Sequence, residues 1–115
     1  MNEQLKINEN ILTINNIDVS FNHNIRDVQI CGDLIIVLLA IPFNETELDN
    51  LYAISKLGKI VWRSQELNKV FPDQYSDSYE FMNVNENEIK VTDFHGRRYF
   101  IDPLNGFIKK RDIVK

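Results

Sequence analysis

The chain is poor in the residues that usually mark a specialised site. It has one cysteine, two histidines and four glycines among 115 residues. A single cysteine cannot form an intramolecular disulfide, so the fold depends on a hydrophobic core, which a chain of this length can build. Two histidines without a cysteine at ligand spacing exclude the common zinc motifs, and four scattered glycines form no phosphate-binding loop. We therefore expect neither a metal nor a cofactor.

Long apolar runs and an excess of positive charge are also missing. The longest apolar run, residues 34–41, has eight residues, whereas a transmembrane helix needs about 20. Thirteen basic and 17 acidic residues give a net charge of −4, which opposes binding to nucleic acid or anionic lipid. The N-terminus has no basic segment followed by an apolar one. The sequence predicts a cytoplasmic protein that binds neither nucleic acid nor a membrane.

What the chain does have is a series of short apolar stretches separated by turn signals. Asn15-Asn16 separates two such stretches, and asparagine tolerates the positive φ of a type I′ hairpin. Residues 34–41 are apolar on both faces of a strand, which is typical of a strand covered on both sides. Only residues 64–71 favour a helix, of one or two turns, because no segment sustains a 3.6-residue period. The sequence predicts an all-β fold.

One segment occurs twice. Residues 51–63 read LYAISKLGKIVWR, and residues 98–111 read RYFIDPLNGFIKKR. The two copies align with one inserted residue in the turn, so that Gly58 corresponds to Gly106. Each copy predicts strand, glycine turn, strand, and such a unit needs a stacked neighbour to bury its apolar face. We expect both glycines to adopt a positive φ.

The duplication extends beyond these two segments. Matching apolar positions upstream widen the two copies to about 28–63 and 82–111. Residues 1–115 are therefore predicted to form a single all-β domain with an internal duplication. Its architecture is an antiparallel meander of two four-stranded units plus an N-terminal hairpin, packed as a sandwich or a curled sheet.

The repeated unit resembles the blade repeat of PQQ-type β-propellers. The matching residues are Tyr52, Ala53, Ile54, Gly58 and Trp62 in the first copy, and Tyr99, Ile101, Asp102 and Gly106 in the second. The chain also resembles, best over residues 50–115, a group of small uncharacterised bacterial all-β proteins, and this resemblance implies no activity. A propeller ring typically closes with four or more blades, and this chain holds about two and a half. Quinone binding, which needs a full ring, is therefore not expected.

Two loops, residues 42–50 and 72–80, combine acidic and aromatic residues. The first lacks periodicity and is expected to be an exposed connection. Rigid aromatic side chains among short polar ones suit an adaptable binding surface. The candidate partner-binding residues are Phe43, Glu45, Glu47, Asp73, Tyr75, Asp77 and Tyr79. In the alternative interpretation, Phe71 and Tyr79 anchor the second loop to the core and only Tyr75 is exposed. Trp62 is expected to lie in the core, since indole is the largest apolar surface available.

Two classes of function follow from these features. The first hypothesis is a non-enzymatic interaction protein, monomeric or homodimeric, that binds a protein partner and has no catalytic residue. One version is an immunity-type protein that neutralises a basic toxin. The alternative is a small-molecule-binding protein or a hydrolytic enzyme using Asp93 and His95, which share a face of a strand because they are two residues apart. A pocket of convergent polar groups favours the alternative, and clustered surface aromatics favour the first hypothesis.

Overall fold

The computed structural model describes residues 4–114, and nearly all of its regular structure is strand. The elements are β1 (Leu5–Asn8), β2 (Ile11–Ile14), β3 (Ile17–Ser20), β4 (Ile25–Cys31), β5 (Leu34–Leu39), β6 (Leu51–Ser55), β7 (Ile60–Arg63), α1 (Leu67–Val70), β8 (Tyr79–Asn85), β9 (Glu88–Asp93), β10 (Arg97–Ile101) and β11 (Ile108–Ile113). Within residues 4–114, no helix is long and apolar enough to cross a membrane. The predicted all-β class is confirmed.

The strands form three antiparallel sheets in chain order. We call them the N-terminal sheet (β1–β3), the central sheet (β4–β7) and the C-terminal sheet (β8–β11). Within each sheet every strand pairs with its neighbour in sequence. The two predicted four-stranded units are therefore present, and β11, which carries Lys109 and Lys110, lies at an edge of the C-terminal sheet. Lysines on an edge strand discourage pairing with another chain.

The central sheet is covered on both faces by the other two sheets. Along β5, Ile36 and Leu38 belong to the apolar cluster shared with the C-terminal sheet. Their neighbours Ile35, Val37 and Leu39 belong to the cluster shared with the N-terminal sheet. All five side chains are fully buried. This alternation confirms the prediction of a strand covered on both sides, and it makes the molecule a three-layered β-sandwich.

The two glycine turns press against the preceding sheet. Gly58 and Gly106 have φ values of 80° and 77°, as predicted. A Cβ on Gly58 would lie 2.7 Å from Ile17 Cγ2 in β3, and one on Gly106 would lie 2.5 Å from Trp62 Cε3 in β7. Trp62 is only 7% exposed, and its indole N–H donates to the Pro103 carbonyl at 2.8 Å. The prediction that Trp62 is a core residue is confirmed.

The N-terminal hairpin has a third strand that the sequence did not reveal. Asn15 and Asn16 have positive φ between β2 and β3, as the type I′ turn requires. The additional strand, β1, pairs with β2 through a turn in which Glu9 adopts a φ of 56°. Glutamate carries no turn signal, so this turn and the four-residue strand before it escaped prediction. The short helix predicted within 64–71 is present as α1.

Candidate functional site

The two loops predicted to form a binding surface meet at one end of the molecule. Loop 42–50 follows β5 of the central sheet, loop 72–78 precedes β8, and the turn 94–96 joins β9 to β10. Because the central and C-terminal sheets pack face to face, these loops lie side by side. Together they enclose a cleft of about 340 Å³, which we call the loop cleft.

Three exposed aromatic side chains surround the loop cleft. Phe43 is 90% exposed, Tyr75 83% and Phe94 67%. The rings of Phe43 and Phe94 are in edge-to-face contact, with centroids 6.2 Å apart. Single exposed apolar residues are ordinary, but three around one concavity are typical of an interaction site.

Carboxylates provide the charged part of the cleft wall. Glu45, Glu47, Asp77 and Glu80 line it, and no lysine or arginine from residues 4–114 does so. Glu80 is the most enclosed of the four, and its carboxylate lies 3.3 Å from Arg26 Nη2. The lining of the cleft is therefore mainly acidic and aromatic, and it also includes the exposed imidazole of His95.

Basic side chains pair with these carboxylates, and two of them are mostly buried. His23 Nε2 lies 2.6 Å from Glu45 Oε1, and His23 Nδ1 lies 3.7 Å from Glu47 Oε2. Arg97 donates from Nη2 to Asp77 Oδ2 at 3.1 Å. The side chains of His23 and Arg97 are both mostly buried. In the described part of the chain, no group of three histidine, cysteine or acidic residues has the geometry to hold a metal ion.

Arg63 holds the C-terminal part of loop 42–50 in place. Its guanidinium donates to the carbonyls of Asp49 at 2.8 Å and Leu48 at 3.0 Å, and it lies 3.5 Å from the Glu47 carboxylate. Asp49 Oδ1 in turn accepts from the backbone N–H of Leu67 at the start of α1. Burial raises the pKa of the Asp49 carboxyl, while the Leu67 hydrogen bond and the charge of Arg63 act in the opposite direction. The loop is thus fixed by β7 and α1.

Asn50 ties this loop to the C-terminal sheet. The side chain is 1% exposed, although it ends a loop that the sequence predicted to be exposed throughout. Its Nδ2 donates to the carbonyls of Leu39 at 2.7 Å and Tyr79 at 3.0 Å, and its Oδ1 accepts from Tyr79 N–H at 2.9 Å. The expectation of exposure is wrong for Asn50, because its amide satisfies buried backbone groups of two sheets at once.

The turn 94–96 is organised by Asp93. This buried carboxylate accepts from the backbone N–H groups of His95 and Arg97 at 2.9 and 3.0 Å, and from Arg97 Nε at 2.7 Å. The His95 imidazole is paired instead with Asp77, through Nδ1. The structure therefore does not bring the side chains of Asp93 and His95 together as a dyad.

The predicted contact residues divide between the cleft and the core. Five of them line the cleft: Phe43, Glu45, Glu47, Tyr75 and Asp77. Asp73 is exposed but lies outside the lining. Tyr79 is fully buried, with its ring 5.5 Å from that of Tyr99, so it anchors the loop and offers no contact surface. Sequence reasoning missed Phe94, which lies outside both candidate loops and whose only signal is its position beside His95-Gly96, a pair of residues typical of turns.

The architecture defines a small all-β protein of three stacked antiparallel sheets. A family model described as Domain of unknown function (DUF7957) matches residues 2–113, and the chain belongs to this family. No curated protein matches the chain.

Among solved structures, the crystal structure of the computationally designed Ika8 protein is similar. The TM-score is 0.60 at 9% sequence identity, over 94% of this chain and 35% of the designed one. The chain thus spans about a third of the length of that protein. At this identity the likeness concerns the fold alone.

Proposed function

We propose that this protein is a non-enzymatic interaction protein that binds a protein partner through the loop cleft and its aromatic rim. The observation that supports this most is the grouping of Phe43, Tyr75 and Phe94 at one end of the molecule. Aromatic residues are enriched at the centres of protein interfaces, since they offer a large contact area with few rotatable bonds.

The loops that carry these rings are held before any partner arrives. Asn50 and Arg63 fix loop 42–50, and Asp93 fixes the turn that bears Phe94. Ordering loops on association costs free energy, so a pre-formed surface binds more tightly than a mobile one of the same area.

The fold and charge suggest a more specific version. The two four-stranded sheets are blade-like units that arose by duplication. This is supported by the equivalent packing of Gly58 and Gly106, each against the last strand of the preceding sheet. With a net charge of −4, the protein suits a basic partner in the cytoplasm. Immunity against a basic toxin is one function of this kind.

Site-specific photo-crosslinking tests the proposal. A photoreactive phenylalanine at Tyr75 or Phe43 is expected to form one and the same adduct in cells that make this protein naturally. Leu104 is the matched control because it is 86% exposed and lies on the turn at the far end of β10. Equal adducts at all three positions, or an adduct at Leu104 alone, would contradict the proposal.

The second candidate function is binding of a small molecule. It is favoured by the convergence of Glu45, Asp77 and His95 on a cleft of about 340 Å³, which is within the size range of small-ligand sites. The separation of Asp93 from the His95 imidazole gives a hydrolytic dyad no geometric support.

A further inference from the structure

We infer that the loop cleft is a socket for one arginine side chain of the partner protein. This inference rests on the proposed function and names the chemistry of its central contact. It follows from the acceptors that the cleft leaves unused, the state of its aromatic rings and its size.

The cleft presents carboxylate oxygens that the protein itself does not use. Glu45 bonds to His23 through Oε1, and Asp77 bonds to His95 and Arg97 through Oδ2. Glu45 Oε2 and Asp77 Oδ1 accept no hydrogen bond from residues 4–114. Both side chains remain partly exposed, at 45% and 26%. An ionised carboxylate accepts through both oxygens, so each of these groups has room for a further donor.

The rings of the cleft also lack a cation, in contrast to other rings of this molecule. Tyr52 is covered by Arg63 at 5.3 Å and Phe71 by Arg111 at 5.0 Å. Within residues 4–114, no lysine or arginine covers Phe43, Tyr75 or Phe94. A cation over an aromatic face is stabilised by the ring quadrupole. The ring faces that the Phe43–Phe94 and Phe94–His95 contacts leave exposed, and those of Tyr75, are therefore open to a cation from another molecule.

Arginine fits this combination better than lysine does. Its guanidinium is planar and weakly hydrated, so it stacks on aromatic rings while donating to carboxylates from its edge. Lysine is a compact, strongly hydrated charge and gains less from ring faces. At about 340 Å³ the cleft is near the lower limit for small-ligand sites. A volume of this size accommodates an arginine side chain.

The test is an NMR titration of the isotope-labelled full chain with the blocked peptide acetyl-Gly-Arg-Gly-amide. Saturable shifts are expected for backbone amides of residues 43–47, 75–78 and 94–96, with a Kd of about 1 mM. Citrulline in place of arginine keeps the shape of the side chain but removes its charge. The affinity of this peptide should be lower by about tenfold or more. The lysine peptide should also bind more weakly than the arginine peptide.

Variants assign the binding to the cleft. Phe43→Ala should weaken peptide binding about fivefold or more through the lost ring contact. Glu45→Gln should do the same through the lost charge, whereas Leu104→Ala should leave the affinity unchanged. Phe43 is almost fully exposed, so its variant keeps the fold, which the same spectra verify.

Several results would overturn the inference. They are the absence of saturation at about 10 mM peptide, shifts centred elsewhere, and equal binding of the citrulline or lysine peptide. Agmatine is a free guanidinium compound, and tighter binding of agmatine than of the peptide would indicate a small-molecule ligand instead. Crosslinking separates the two proposals: adducts at Tyr75 without peptide binding would leave the partner surface standing and remove only the arginine socket.

Discussion

The central sheet packs on its two neighbours through interfaces of different chemistry. The interface with the N-terminal sheet is almost purely aliphatic, with Phe21 as its one fully packed aromatic residue among those described. The interface with the C-terminal sheet contains Trp62, Tyr79 and Tyr99, together with the buried amide of Asn50. Aliphatic packing needs only matching volume, whereas buried polar groups need partners at fixed positions. The second interface therefore fixes how its two sheets sit relative to each other, and the loop cleft lies at its end.

Side-chain amides, among them those of Asn50 and Gln29, fix the relative position of these two sheets. Asn50 bonds across to Tyr79, as described above. Gln29 of β4 donates to the Met82 carbonyl at 3.1 Å and accepts from Val84 N–H at 2.9 Å. Both amides link the central sheet to β8. The cleft geometry thus depends on hydrogen bonds that would be broken by a small slip between these sheets.

The largest contrast is expected between Trp62→Ala and Ile17→Ala. Each side chain faces a glycine turn of the following sheet, but Trp62 is core and Ile17 is 39% exposed. Trp62→Ala should lower the free energy of unfolding by about 3–5 kcal/mol, and Ile17→Ala by about 1 kcal/mol. Urea unfolding of both variants measures the difference. Equal losses would show that the two interfaces contribute alike.

The Asn50→Ala variant should show the next largest loss in the free energy of unfolding. It leaves the carbonyls of Leu39 and Tyr79 and the N–H of Tyr79 without their partner, at a cost of about 3 kcal/mol. Asn10→Ala is the matched control, since Asn10 donates one part-buried hydrogen bond to the Phe21 carbonyl and should cost about 1 kcal/mol. Denaturant unfolding is again the measurement. An Asn50 variant as stable as the control would contradict the bridging role.

Alanine at three glycines sharpens the comparison of the two turns. All three positions have positive φ, which costs a residue with a Cβ about 1–2 kcal/mol. Gly32 has open space around its Cβ position, Gly58 faces the tip of Ile17, and Gly106 faces the buried ring of Trp62. Overpacking adds about 1–3 kcal/mol where the neighbour cannot move. Destabilisation should rise in the order Gly32, Gly58, Gly106, and thermal unfolding that gives the reverse order would refute this account of the turns.

Tyr79→Phe is expected to change the alkaline limit of stability. Burial raises the pKa of Tyr79 well above its usual value, with the charges of Asp49 and Asp93 adding to the effect. The unfolded chain releases this proton near pH 10 and the folded chain does not, so stability falls above about pH 10 by up to about 1.4 kcal/mol per pH unit. Tyr79→Phe should reduce that slope.

The Tyr79→Phe variant should not lose stability at neutral pH, because the Tyr79 hydroxyl that it removes has no hydrogen-bond partner among the described residues. Tyr75→Phe, at an exposed position, is the control and should keep the wild-type alkaline slope. An unaltered slope in the Tyr79 variant would contradict the assignment.

Sequence reasoning succeeded where the signal was local. The glycine of each turn, the double-faced apolar run of β5 and the Asn15-Asn16 hairpin all follow from residues within a few positions of one another. The strand β1 was missed because Glu9 occupies a turn conformation for which glutamate has no preference.

Only the part of the site that leaves a local signal in the sequence was predicted. Its two loops stood out by composition, so Phe43 and Tyr75 were found. Phe94 joins them only because two sheets stack face to face, and the roles of Asn50 and Arg63 depend on partners distant in sequence or on buried backbone groups. Such contacts leave no periodic or spacing signal in a single sequence.

The measurement that tests the central claim most directly is the affinity of the crosslinked partner for two purified variants. One carries alanine at Phe43, Tyr75 and Phe94; the other carries alanine at Leu57 and Leu104, which are 73% and 86% exposed away from the cleft. We expect the affinity of the first variant to be lower by about 100-fold or more, as is typical when interface hot spots are lost. Both variants should unfold at the same urea concentration as wild type, and the second should bind like wild type. Wild-type affinity in the first variant would contradict the proposed function.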